Sequence, residues 1–227
     1  MFTLFDSSVS VVASWILETT VEDLDVINFR SKASLRLLPP LLKPKLALAV
    51  IKKLHVFMSY QEHRESFRPL GKQRELLPLI VTCVTTSEIL CCDGHSGMRN
   101  YLNNECDAAM SDVISKLDYS IRDELVNILH QDKNLKLKVL HYHSSYSHPT
   151  TLSDLIEKSA DSIYSLKLQC KNFTMPRCRL PNLTELYLEG VRFNHSPELA
   201  SLTSISSLYL FNVNGLPENL YQLYINI

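Results

Sequence analysis

A six-residue pattern, L-x-x-L-x-L, recurs through the carboxy-terminal part of the chain. Leu183-Thr-Glu-Leu186-Tyr-Leu188, Ile205-Ser-Ser-Leu208-Tyr-Leu210, Leu220-Tyr-Gln-Leu223-Tyr-Ile225 and Ile163-Tyr-Ser-Leu166-Lys-Leu168 all follow it, and Leu137-Lys-Val-Leu140-His-Tyr142 is a weaker copy. Their starts lie 26, 20, 22 and 15 residues apart, and all but the last spacing falls in or near the period of about 20–29 residues at which a chain can coil with one short strand per turn. Successive strand residues point to opposite faces. The apolar residues of each copy therefore face a shared core, and the residues between them face outward.

These copies resemble the leucine-rich repeat. The resemblance implies an α/β fold, in which a helical amino-terminal region is followed by a leucine-rich-repeat solenoid: a curved parallel sheet with helices or turns on its convex side. Leu152 to Ala160 has apolar residues at helical spacing and suits a convex helix, with Thr151 or Ser153 available as its cap. The stretches Met175 to Pro181 and Pro197 to Thr203 are short and broken by proline, so tight turns are expected there. Ile227 lies within two residues of the last repeat strand, with no polar cap after it. The reading is a carboxy-terminally shortened array, or one that a partner closes.

The amino-terminal 130 residues read as helical and less regular, and three regions follow: a helical docking region at 1–60, a helical linker or degenerate first repeats at 61–130, and the repeats at 131–227. Ser111 to His130 carries apolar residues at 113, 114, 117, 121, 125, 128 and 129 on one stripe and is expected to form one helix. Leu76 to Leu90, rich in Val, Thr and Ile, reads as an earlier degenerate repeat with Ile80, Thr82 and Val84 in a strand. Gly94 and Gly97 then mark a loop.

Residues 3–12 place Thr3 before Leu4, a small residue at Ser8 and an apolar one at Val12. Thr3 can cap a helix start, Asp6 suits the positive end of its dipole, and Leu4, Ser8 and Val12 share one face. This spacing resembles the elongin box of ubiquitin-ligase substrate receptors, and Leu38-Pro39 resembles the downstream cullin-contacting segment of that family. Elongin box, Leu-Pro helix and leucine-rich repeats, in that order, are similar to the Zyg-type receptors of cullin-2 ligases and to PRAME-type leucine-rich proteins. The resemblance implies elongin B/C and cullin-2 as partners, with Thr3, Leu4, Ser8, Val12, Leu38 and Pro39 as the adaptor-binding residues. Two departures stand: Ser8 occupies the position where Cys is commonest, and the segment is heavy in β-branched valines. Leu38-Pro39-Pro40-Leu41-Leu42 with Leu46, Val50 and Leu54 also resembles an F-box helix start, which implies a Skp-type adaptor and cullin-1 instead. A leucine-rich-repeat scaffold outside any ligase is a third reading.

The outward positions of successive repeats supply the candidate substrate face. Between the second and third apolar residues lie Lys167, Tyr187, Tyr209 and Tyr224; the next outward positions hold Gln169, Glu189, Phe211 and Asn226. Equivalent positions of neighbouring strands lie about 4.8 Å apart, so the tyrosines are expected to form an aromatic ladder with Phe211 beside it. Lys167, Tyr187, Glu189, Tyr209, Phe211 and Tyr224 are the expected contacts to a protein substrate.

With 23 basic and 24 acidic side chains no global field draws in nucleic acid or a membrane, and neither is expected as a partner. Arg30 to Lys53 holds seven basic residues and no acidic ones, but Pro39 and Pro40 interrupt it and a solvated face is expected. The six cysteines include no C-x-x-C pair, which fits reduced, mostly buried thiols. No secretory signal or membrane-spanning run is apparent, and a cytoplasmic or nuclear location is expected. The sequons at Asn172, Asn182 and Asn194 argue the other way and read as chance. No enzyme is expected. Asp93-Gly94-His95-Ser96-Gly97 lacks the G-x-S-x-G order of a nucleophile elbow. His141, His143 and His148 lack a supporting carboxylate or cysteine cluster, so neither metal nor cofactor is expected.

Overall fold

The structure, a computed structural model, describes residues 8, 9, 11, 13, 43–59, 70–92, 105–144, 150–193 and 204–215. It is α/β, with a five-stranded parallel sheet. The elements are α1 (Lys43–Ser59), α2 (Leu70–Ser87), β1 (Ile89–Cys91), α3 (Glu105–Ser115), α4 (Tyr119–Gln131), β2 (Val139–Ser144), α5 (Thr151–Ser159), β3 (Ser165–Cys170), β4 (Glu185–Glu189) and β5 (Ser207–Phe211). The chain divides into two compact units, Met1–Ser87 with Gly94–Ile121, and Glu88–Asp93 with Arg122–Ile227.

In the first unit α1 packs on α2 and α3. Leu46, Ala47, Val50, Ile51 and Leu54 form the buried stripe of α1, at the spacing that keeps them on one side of a helix. Here the expected strand at Ile80, Thr82 and Val84 gives way to helix α2. Leu76, Leu77, Ile80, Cys83 and Val84 are buried at i, i+1, i+4, i+7 and i+8, a helical period that outweighs the β-propensity of Val, Ile and Thr. The threonines adapt by bonding to the turn before them: Thr82 Oγ1 donates to Pro78 O (2.8 Å) and Thr86 Oγ1 to Thr82 O (2.6 Å). The strand of this segment is β1, immediately after the helix.

Ser111 to His130 is likewise not one helix. It is broken between α3 and α4 at Asp118, whose Oδ1 accepts from Ser120 N (2.9 Å) and Ser120 Oγ (2.8 Å). This local bond caps the start of α4, and the amide of Asp118 donates to the buried Gln73 side chain (2.7 Å) instead of continuing α3. The buried carboxylate of Asp112 is held by His55 Nε2 (3.2 Å) and Lys116 Nζ, as a charge removed from water requires.

In the second unit the strands run in the order β1-β2-β3-β4-β5, every pair parallel and in register. One device repeats at each step. The carbonyl just before a strand accepts from two successive amides of the next: Lys138 O from Tyr164 N (3.0 Å) and Ser165 N (3.4 Å), Tyr164 O from Thr184 N (2.9 Å) and Glu185 N (3.1 Å), and Thr184 O from Ser206 N (2.8 Å) and Ser207 N (3.2 Å). Glu88 O does the same for Lys138 N and Val139 N, with Glu88 itself at φ 60. The inward rows are Leu90, Leu140, Leu166, Leu186, Leu208 and, beside them, Tyr142, Leu168, Leu188, Leu210. All but those of β5 are buried, each contributing about 2 kcal/mol of transfer free energy. Tyr142 is what made the 137–142 copy look weak: its ring fills the leucine position, and its hydroxyl donates to the Asp123 carboxylate of α4, as a buried phenol demands.

Helix α5 follows the expected span, but neither Thr151 nor Ser153 caps it. The N-cap is Thr150, already in helical backbone and without a side-chain cap bond, and the Thr151 hydroxyl donates instead to Asn127 Oδ1. At the other end, Lys158 Nζ donates to the carbonyls of Leu129 (3.1 Å), His130 (3.0 Å) and Asp132 (2.6 Å). It closes the end of α4, where cations are favoured. Residues 175–181 form neither helix nor strand, with a bend at Arg177 and a turn that begins at Pro181; Pro197–Thr203, Gly94, Gly97 and the 220–225 copy lie outside the described residues.

Gly215 sits at φ +71, and a Cβ there would lie 2.2 Å from the Phe193 carbonyl oxygen. Gly215→Ala is therefore expected to destabilise the protein by about 1–3 kcal/mol, read as a fall in the urea midpoint at unchanged m-value. Asn212→Gly, at a left-handed φ of 52, should be close to neutral.

Candidate functional site

The face of the sheet opposite the leucine core carries three rows in register. The middle row is Cys91, His141, Lys167, Tyr187 and Tyr209; on one side lie Ile89, Val139, Ser165, Glu185 and Ser207, and on the other His143, Gln169, Glu189 and Phe211. Burial divides this face. Ile89, Cys91, Val139, His141 and Ser165 are buried, whereas Tyr209 is 46% and Phe211 54% exposed. The part open to a partner thus runs from Lys167 across β4 to β5.

Within it the aromatic ladder takes a definite form. Tyr187 and Tyr209 stack with ring centroids 4.2 Å apart and planes 11° from parallel, a separation set by the strand spacing. On the other side Lys167 Nζ stands 4.7 Å from the Tyr187 ring centroid, where the negative face of the ring attracts a cation. Gln169 Nε2 donates to Glu189 Oε2 (2.8 Å), and the Tyr187 hydroxyl donates to the same oxygen (3.1 Å). Desolvation, followed by hydrogen bonds with Tyr209 and Glu189, raises the pKa of the Tyr187 phenol above its ordinary value of 10.0. Tyr187 is therefore a fixed, neutral donor at physiological pH.

Five of the six expected substrate contacts are brought together here: Lys167, Tyr187 and Tyr209 in one row, Glu189 and Phe211 in the next. Tyr224 lies outside the described residues. Two members were missed. Gln169 was legible as an outward residue, and its bond to Glu189 ties β3 to β4. Glu185, two residues before Tyr187 and half-buried on the same face, follows from the alternation that placed Tyr187, but it falls at a position to which the L-x-x-L-x-L pattern assigns no residue type. Of the adaptor-docking residues, Ser8 lies in helical backbone and is exposed; Thr3, Leu4, Val12, Leu38 and Pro39 lie outside the described residues.

His141 and His143 share one face of β2, as expected, but His141 is buried and its Nε2 shares a 2.8 Å hydrogen bond with Ser165 Oγ. Among the described residues no group of three or more His, Cys, Asp or Glu is placed to hold a metal ion; His148 and residues 93–97 lie outside them. Cys83, Cys91, Cys92 and Cys170 are buried and form no disulfide among the described residues, and burial pushes the half-buried Cys178 thiol up to about 11. No described helix is long and apolar enough to cross a membrane.

A group with a folded pKa raised above its unfolded value contributes stability that is present below the unfolded value and lost as pH rises through the folded one. Tyr187 is such a group, so part of the stability of the β3–β5 face should disappear as pH climbs past about 10. A spectrophotometric phenol titration of Glu189→Gln should move one tyrosine back toward ordinary ionisation; an unchanged titration curve would contradict the described hydrogen bond. Comparison of the chain with known protein families, with characterised proteins and with solved structures finds no match.

Proposed function

We propose that the chain is a leucine-rich-repeat adaptor that captures a protein partner on the open face of its sheet, and that it serves as the substrate-recognition subunit of a cullin-RING ubiquitin ligase. The observation that carries the first part is the ladder: stacked Tyr187 and Tyr209 with Phe211 beside them, two of the three more than two-fifths exposed on a rigid sheet. Aromatic side chains anchored by regular structure and left open to solvent supply large apolar area at small entropic cost, which is the usual composition of a binding hot spot. The fixed register supports the repeat reading, since three successive L-x-x-L-x-L copies give three neighbouring parallel strands.

The ligase role is supported by the resemblance of residues 3–12 to an elongin box and of Leu38-Pro39 to the segment that contacts cullin-2. In that role the chain performs no chemistry of its own. One region docks on elongin B/C and cullin, the sheet face holds the target, and transfer is accelerated by proximity to a separately bound ubiquitin-charged enzyme.

Replacing Tyr187, Tyr209 and Phe211 together by alanine is expected to abolish co-purification of the cellular target, with the thermal transition of the variant preserved. Retention of the target by the folded triple variant would sink the binding role of this face. Separately, Leu4→Asp should remove elongin C from affinity-purified complexes without affecting the target. Recovery of a Skp-type adaptor in place of elongin C would instead support the F-box arrangement, and recovery of neither would leave a repeat scaffold outside any ligase.

A further inference from the structure

We infer that the partner docks on this face through arginine, whose guanidinium lies against the exposed aromatic surface of the ladder and pairs with the carboxylate of Glu185 or of Glu189, which stand on either side of the tyrosine row. The inference rests on the proposed role of the ladder as the docking face and specifies the chemistry that the face selects.

Three observations carry it. The first is charge. Across β4 and β5 the open face consists of Glu185, Tyr187, Glu189, Ser207, Tyr209 and Phe211, so its two charges are both negative, and they flank the tyrosine row on either side. The nearest cation on the rows, Lys167, is a strand away and stands over the Tyr187 ring; Lys171 and Arg192 lie past the ends of β3 and β4. The second is unused capacity. Both bonds to Glu189 land on Oε2, and Glu185 has no side-chain hydrogen bond or ion pair among the described residues. Each of these half-buried carboxylates has acceptor positions that a planar, multiply donating cation can fill. The third is the behaviour of the stack itself. At 4.2 Å nothing can enter between the two tyrosine rings, so a partner meets only their outer surfaces, and the chain already places a cation of its own against one end of that stack.

A cation met by aromatic surface and a carboxylate together is best matched by a guanidinium. It stacks flat on aromatic rings, sheds its hydration more readily than an ammonium and presents paired donors to a carboxylate. An acidic or phosphorylated segment would instead bring its charge against Glu185 and Glu189, at a cost that excludes it.

The test uses the full chain titrated with short glycine-flanked peptides whose central residue is arginine, lysine, citrulline or glutamate, followed by the tyrosine ring signals in NMR up to millimolar peptide. The expected order is arginine, then lysine, then citrulline, with no binding of the glutamate peptide. Glu185→Gln/Glu189→Gln should cut arginine-peptide affinity roughly tenfold and erase the preference for arginine over citrulline, its neutral isostere, while the stacked ring signals persist. Equal binding of citrulline or glutamate, an unchanged affinity in the double variant, or no response to the arginine peptide overturns the inference. The ladder reading fails separately, through target retention by the Tyr187→Ala/Tyr209→Ala/Phe211→Ala variant; a target lost from that variant but kept by Glu185→Gln/Glu189→Gln would leave the ladder as docking face and remove arginine as its ligand.

Discussion

In-register parallel pairing of short strands organises the sheet-bearing unit. Each strand is tied to the one before it by a carbonyl that accepts two successive amides, from Glu88 through Lys138 and Tyr164 to Thr184. Because a one-residue slip in a strand exchanges its two faces, this repeated bond does more than join strands. It fixes that Leu166, Leu186 and Leu208 line one side while Lys167, Tyr187 and Tyr209 line the other. The core and the candidate binding surface are two consequences of one register.

The same constraint sets the geometry of the aromatic stack. Neighbouring parallel strands hold equivalent residues at a distance close to the contact distance of two flat rings, so tyrosine repeated at one outward position stacks with little rearrangement. Polar contacts then stiffen the surface: Gln169 and Tyr187 both hold Glu189, and Lys167 covers the inner end of the stack. A surface fixed in this way loses little entropy on binding, so more of its contact energy is available as affinity.

The core is closed by side chains that depart from the repeat pattern and find partners outside it. Tyr142 replaces a leucine and hands its hydroxyl to Asp123, while Lys158 reaches from α5 to the last carbonyls of α4. Ser159 accepts the amide of Leu137 (3.1 Å), and Ser162 donates to the Leu137 carbonyl (2.7 Å). These are polar groups that a transition from helix to strand leaves exposed to desolvation, and each is satisfied by a partner distant in sequence.

Periodicity was enough to locate β2, β3, β4 and β5, the helix at Thr151–Ser159 and the row Lys167, Tyr187, Tyr209, because each depends on a pattern local to a few residues. Where two local signals competed, the sequence alone pointed the wrong way. The β-branched run at Leu76–Leu90 suggested a strand, but the period of its buried residues made it helical, and a single aspartate, Asp118, divided a stripe that read as one helix. What only the tertiary structure decided is which outward residues a partner can reach. His141 and Tyr209 occupy the same row and were equivalent in the sequence, yet one is buried and the other open. Strand alternation assigns a residue to a face, but its exposure depends on what packs over that face, and such packing brings together residues far apart in the chain that no repeat pattern records.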